Sequence, residues 1–303
     1  MTDKFTPYLS EVLPSILQQA SLRAEMKIQG QEEGTDIQGM LEEVGNVKEK
    51  KANIMTDEIE EKDSAIQMLV VFIDELGTGF APYIEGVAKI FMSLTQFYAS
   101  DNIRCSSAGA LPSLIKCFKE ANPGNIEPLH VMAKAYSNNI LDAMETETET
   151  ECLIAQAQAI KEILEETGEG LLQENSVKMF SQKIFDFLQQ SENREQDNQK
   201  YEKENMDGEE EDRLDEEDLA VLKEENKNEH ELQISLAEIF GALFKTHREF
   251  CRELVGKLWQ EVLPAAAKLQ NKHSMKFILF ILDDMVEFLG AEFLGAVYPE
   301  VVF

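Results

Sequence analysis

Lys276, Asp283, Asp284 and Glu287 stand at offsets of seven, eight and eleven residues, which places them on one side of an α-helix. Three carboxylates so arranged attract the lysines and arginines of another chain, so the chemistry on offer is ionic recognition of a basic segment. The plainer alternatives are salt bridging between neighbouring helices or a solvated face. A denser acidic run lies upstream. Nine of the twelve residues from Asp207 to Asp218 are carboxylates: Asp207, Glu209, Glu210, Glu211, Asp212, Asp215, Glu216, Glu217 and Asp218. That density cannot pack against a core, and it predicts a solvated, partly disordered loop. The formal net charge of the whole chain is -30. A surface that acidic repels nucleic-acid phosphates and anionic lipid; it either attracts basic protein segments or serves solubility alone.

Catalysis finds little support. His130, His230, His247 and His273 lie far apart along the chain, with no HExxH motif and no cysteine spacing for zinc. Gly77-Thr78-Gly79 lacks the third glycine and the preceding strand of a dinucleotide loop. Neither a phosphate-binding GxxxxGK(S/T) nor a GxSxG elbow occurs. The expectation is therefore a non-enzyme without metal or cofactor. Cys105, Cys117, Cys152 and Cys251 have no CxxC pairing and each falls within a predicted helix, which reads as buried, reduced thiols of an intracellular protein. Residues 1–20 are amphipathic and acidic, unlike a signal peptide. No run approaches the ~20 apolar residues of a membrane span. The longest apolar stretch, around Phe277 to Leu282, is cut off by Asp283 and Asp284.

The elements that must position these groups are helices in pairs. With 43% hydrophobic residues the chain can bury a large core. Val87, Ile90, Phe91, Leu94, Phe97 and Tyr98 recur at three- and four-residue steps and predict a helix over 80–99. Ser100-Asp101 break it and cap a second helix over 102–121. The pattern resumes over 126–144 and 149–167, with Gly168 and Gly170 as stops. It continues over 174–191 paired with 229–247, and over 250–269 paired with 272–289. First helices thus begin near 5, 80, 126, 174, 250 and 292, and the uninterrupted steps of about 42 to 48 residues match HEAT-type repeats. Two insertions lengthen the other steps: a polar one over 22–56 and the acidic one over 193–228. A repeated phrase marks the entry turns, Phe5-Thr6-Pro7-Tyr8 and Phe80-Ala81-Pro82-Tyr83, with looser echoes at Phe250 and Phe293. Pro suits a first helical turn, and the aromatics would anchor one pair on the previous one. The expected fold is an all-α superhelix, a single HEAT/ARM-type solenoid over 1–303 of about five helix pairs plus a partial sixth. The apolar end Val301-Val302-Phe303 leads us to expect a longer parent solenoid.

Three stretches resemble the importin-beta (karyopherin-beta) family. They are Lys4-Phe5, Tyr8-Leu9 and Val12 running to Ala20-Ser21; Glu60-Glu61-Lys62, Ala65, Gln67-Met68-Leu69-Val70, Glu75-Leu76, Gly79-Phe80 and Tyr83; and Ile281, Asp283-Asp284 and Glu287, followed by Phe293. The resemblance implies a nuclear transport receptor with first helices on the convex surface and second helices on the concave one. Implied partners are basic localisation signals, Phe-Gly nucleoporin segments and, through the full-length parent, the GTP form of the small GTPase Ran. It further implies shuttling between cytoplasm and nucleus through the pore; we expect a monomer, with neither nucleic acid nor membrane as partner. On this reading Asp283, Asp284, Glu287 and Lys276 face cargo. The acidic run is then bait for basic cargo or a contact to a basic patch on Ran, or else a tolerated insertion. Phe91, Phe97 and Tyr98 would border slots for Phe-Gly side chains, or simply be core. Asp101 with Arg104 resembles the Asp…Arg ladder common in HEAT second helices, a structural rather than a recognition feature. The runner-up is a HEAT scaffold outside transport, such as a phosphatase- or chromosome-associated adaptor.

Overall fold

In α4 (Asp101–Ala121), Ile103, Leu111, Leu114 and Ile115 are fully buried, and Ser100 accepts the Ile103 N–H at 3.3 Å to cap the helix start. The amphipathic stripe is the unit from which the molecule is built; the polar cap recurs at the start of the helix Lys272–Asp284, where Asn271 accepts the Ser274 N–H. The computed structural model describes residues 2–21, 26–27, 53–54, 56–206 and 216–297. Helices follow as α1 (Thr2–Ser21), α2 (Thr56–Leu76), α3 (Ile84–Leu94), α4, α5 (Ile126–Met144) and α6 (Thr150–Thr167). The second half contains α7 (Glu174–Met206), α8 (Glu216–Thr246), α9 (Arg252–Lys257), α10 (Leu263–Leu269), α11 (Lys272–Asp284) and α12 (Gly290–Val297). A two-residue antiparallel ladder, Met26–Lys27 against Asn53–Ile54, lies between α1 and α2.

Helices pair as α1 with α2, α3 with α4, α5 with α6, α7 with α8, and α9–α10 with α11. The second helices α2, α4, α6, α8 and α11 form one continuous packed row, while the first helices touch one another more sparingly. The second helices are thus the more closely packed layer, the one expected to line the inner face. The core runs between the two layers; Phe80, Phe91, Phe240 and Phe244 are among its largest fully buried members.

Several expectations change. The helix read over 80–99 is a 3-10 turn, Gly77–Tyr83, followed by α3, and it ends at Leu94. The Phe80 phrase forms that turn, with Pro82 inside it, whereas the Phe5 phrase lies within α1. The two copies meet: a Cβ on Gly79 would stand 3.3 Å from Thr6 Oγ1. Cys251 is not in a helix but caps α9, and Cys105 is only half-buried. One helical run, Glu58–Leu94, is long and apolar enough by composition to cross a membrane, contrary to the sequence reading. Its face through Ile66, Leu69, Ile73, Phe80, Val87 and Phe91 packs into the solenoid core.

The largest correction concerns 193–228. Within the described residues the insertion is helical, because α7 continues to Met206 and α8 begins at Glu216. No Gly or Pro interrupts 174–206, and the segment is rich in the strong helix formers Glu, Gln and Lys. The extensions are tied by polar groups. Glu229, buried at 3% exposure, accepts Arg194 through both oxygens (2.6 and 3.0 Å), Ser191 Oγ at 2.6 Å and Thr150 Oγ1 at 3.1 Å.

Two π-turns also went unread, at Leu258–Val262 and Met285–Leu289. Pro264 has no N–H to donate to the preceding turn, and the helix widens there so that the Leu263 N–H reaches Leu258.

Candidate protein-binding surface

The inner face is assembled from the polar stripes of successive second helices. On α6, Lys161 pairs with Glu238 of α8 at 3.2 Å, and Glu165 with Lys245 of α8 at 3.0 Å. On α4, Lys119 reaches Glu166 of α6. Beside these bridges Glu162 of α6 stands exposed, its carboxyl pushed up by desolvation and by Glu165 and Glu166 against the opposing charge of Lys161. The last helix in the row, α11, packs closely on α8 at residue 241, which is glycine. A Cβ there would collide with the Asp284 carboxylate. Burial, then the charges of Asp283, Glu287 and Glu238, push the Asp284 carboxyl up to about 6, with Lys161 opposing. Burial and three neighbouring carboxylates thus outweigh the one nearby cation, Lys161, and leave the ionised form of Asp284 under-neutralised.

Lys276, Asp283 and Asp284 line one shallow groove of about 550 Å³ with Lys272, Met275, Leu279 and Phe280. Lys276 lies over the Phe280 ring at 5.9 Å. Glu287 falls beyond the groove: the π-turn at 285–289 shifts the helical register on which its expected alignment relied, though its charge still acts on Asp284. The face therefore couples three of the four expected side chains directly and the fourth through the field. Glu162, Glu238 and Lys161 extend it and were missed by sequence reasoning. The polar stripe of α6 opposite Ile160, Ile163 and Leu164 carries Lys161 and Glu162, and that of α8 carries Glu238.

Of the acidic run, Asp207, Glu209, Glu210, Glu211, Asp212 and Asp215 lie outside the described residues. Glu216, Glu217 and Asp218 belong instead to the first turn of α8, where the positive end of the helix favours carboxylates. Phe91 is wholly buried in the core and cannot border a surface slot. Phe97 packs partly against the core, its ring 5.5 Å from Tyr98, which is 57% exposed. Tyr98, Asp101 and Arg104 line one polar groove of about 550 Å³ at the junction of the second and third units.

Arg104 in that groove takes a different partner from the one expected. Its guanidinium donates to both oxygens of Glu147 (2.7 and 3.0 Å) and to the Phe97 carbonyl at 3.1 Å, while Asp101 accepts the Asn102 N–H. Burial pushes the Glu147 carboxyl up, but Arg104 and the N–H groups of Glu149 and Thr148 hold it below the usual carboxylate range. The ladder thus runs from one unit to the next rather than within one helix turn.

The histidines, distant in sequence, are not all distant in space. His230 and His273 stack at 3.8 Å, and Glu195 hydrogen-bonds to His230 at 2.8 Å. Buried His247 accepts the Leu172 N–H through Nε2 at 3.0 Å and is bonded to Thr246 through Nδ1. Burial, helped by His130, pushes it down to about 4, so it is neutral at pH 7. The Thr246 hydroxyl beside His247 also donates to the Ala242 carbonyl of its own helix, and both arrangements read as structural.

No protein-family model matches the chain. Its fold is that of a HEAT-repeat karyopherin solenoid. Kap121p superposes with a TM-score of 0.74 at 18% identity, covering 99% of this chain. The karyopherin Kap121p bound to the SUMO protease Ulp1p gives 0.72 at 18% over 98%, and Kap121p bound to Nup53p gives 0.70 at 19% over 98%. In each case the chain spans 26% of the Kap121p chain.

Proposed function

We propose that this chain is a segment of an importin-beta-type nuclear transport receptor, of the importin subunit beta-3 kind, whose inner face binds basic segments of protein partners. The observation that carries the reading is the under-neutralised carboxylate cluster of Asp283, Asp284, Glu287 and Glu238 on the packed row of second helices. A lysine or arginine placed there supplies the cation that Asp284 lacks. The fold supports the reading, since the solved Kap121p solenoids include complexes with Ulp1p, Nup53p, Ste12p and Pho4p. Shuttling between cytoplasm and nucleus as a monomer follows from the same reading. So do Ran-GTP contact through the parent receptor, with the acidic run as a basic-patch contact, and nucleoporin Phe-Gly segments on the outer helices. Of the expected slot residues, Tyr98 and the edge of Phe97 remain available for that role.

The test is fluorescence anisotropy of a lysine-rich peptide against the chain at increasing salt. Binding should weaken steadily as salt screens the face, and the combined change Asp283→Lys, Asp284→Lys and Glu287→Lys should abolish it. Because binding a cation favours ionised Asp284, affinity should also fall as pH drops from 7 through about 6. Salt-insensitive binding, or equal binding by the charge-reversed variant, would refute the assignment of the face. A pull-down of the full-length parent with Ran-GTP and Phe-Gly repeats separates transport from a HEAT scaffold of another kind. If neither is captured, the scaffold is the better reading.

A further inference from the structure

Two sulfurs on neighbouring second helices nearly touch. Cys105 is the fifth residue of α4 and Cys152 the third of α6, and their Sγ atoms stand 2.6 Å apart. Both are free thiols. The gap is far below the contact distance of two non-bonded sulfurs, and a shift of roughly 0.5 Å would bring it to a disulfide bond length. Cys105 is half-buried and open to a small solute, whereas Cys152 is fully buried behind it. We propose that Cys105 and Cys152 form a peroxide-sensitive oxidation site that closes a disulfide between the second and third units of the inner row.

The surroundings divide the labour. The hydrogen-bonded contact with Cys152, in which either sulfur can donate, holds Cys105 below the ordinary thiol value against burial and the charges of Asp101 and Glu147, and the adjacent Arg104 adds to the lowering. The same contact and burial push Cys152 well above the ordinary value. Cys105 is therefore the attacking thiolate. Its sulfur takes one oxygen of hydrogen peroxide, the O–O bond breaks, and the departing hydroxide gains a proton to leave as water. The product is a sulfenic acid at Cys105. Cys152 then attacks that sulfur and gives up its thiol proton; the S–O bond breaks, and the hydroxide released takes that proton as a second water. Two thiols lose two electrons in all, and one peroxide becomes two waters.

Cys117 and Cys251 are internal controls. Burial pushes the first up to about 11 and the second up to about 12, and each directs its sulfur to backbone carbonyls, Cys117 to Gly77 and Cys251 to Leu243 and His247. The experiment is hydrogen peroxide treatment of the folded chain, followed by maleimide counting and peptide mapping. The expected result is loss of two of the four thiols, a peptide joining Cys105 to Cys152 within one chain, and full reversal by dithiothreitol. Cys105→Ser should abolish the cross-link, and Cys152→Ser should leave a Cys105 sulfenic acid that dimedone traps. Circular dichroism checks that both variants are folded. Because Cys152 is wholly enclosed, its variant could fail that check, and the half-buried Cys105→Ser then decides alone. Equal reaction of all four thiols would overturn the proposal, as would over-oxidised Cys105 without a cross-link in the unaltered chain or a cross-link found only between chains.

Discussion

The two ends of the α7–α8 hairpin are held together by different chemistry. Over 174–190 and 236–246 the helices meet through Ile184, Leu188, Leu236 and Leu243, with the Phe185 and Phe240 rings 4.9 Å apart. Beyond Ser191 the same two helices are joined by Arg194 to Glu229, Glu195 to His230, Gln233 to Glu195 and Asn198 to Glu225. The apolar end gains from water release as well as contact, whereas each polar tie exchanges one set of hydrogen bonds for another and contributes little net. The lesson is that helical continuity does not require continuity of the force that holds it.

Phe240→Ala should cost the most, about 3–5 kcal/mol, because it empties a fully buried site; denaturant unfolding followed by circular dichroism measures it. Acid attacks the same apolar end next. His247 sits at about 4 in the folded chain against an ordinary 6.5, so its neutral form stabilises above pH 6.5 and that contribution disappears as pH falls towards 4. The loss should reach about 2–3 kcal/mol, seen as a falling denaturation midpoint over that window and missing from His247→Gln. At the polar end, Glu229→Ala should cost less, about 1–2 kcal/mol. It should speed amide hydrogen exchange in 192–206 and 216–228 more than in 174–191. A loss as large as that of Phe240→Ala would erase the proposed distinction. Smallest of all, Tyr201→Ala, on a side chain half-exposed at the far end, should change stability by under ~0.5 kcal/mol.

That contrast also explains what could be read from sequence. The paired helices and their period are written in recurring apolar residues such as Ile103, Leu111, Leu114 and Ile115, and they were legible. The polar extensions carry no such stripe, so Arg194 to Tyr201 read as an insertion although its residues favour helix. The tertiary contacts were concealed by another habit, treating residues far apart in sequence as unrelated. Arg104 meets Glu147 at an offset of 43 residues, Cys105 meets Cys152 at 47, and Thr95 meets Asn139 at 44. Each offset is about one repeat period. Laying the units in register would have brought these pairs together, and with them the His230–His273 stack. The groove on α11 was legible in Lys276, Asp283 and Asp284; the π-turn that sets Glu287 apart was not, because nothing in Met285–Leu289 departs from ordinary helical patterning.

Gly241 has a consequence that reaches well past its own neighbourhood. In an array where every unit is oriented by the one before it, an error at a joint is multiplied by the lever arm beyond it. A single methyl at position 241 would force α11 outward or turn Asp284 aside. A tilt of a few degrees there would swing a unit several helix widths away by a few ångströms. One hydrogen in place of a methyl thus works as a gauge, setting how closely these two units can join.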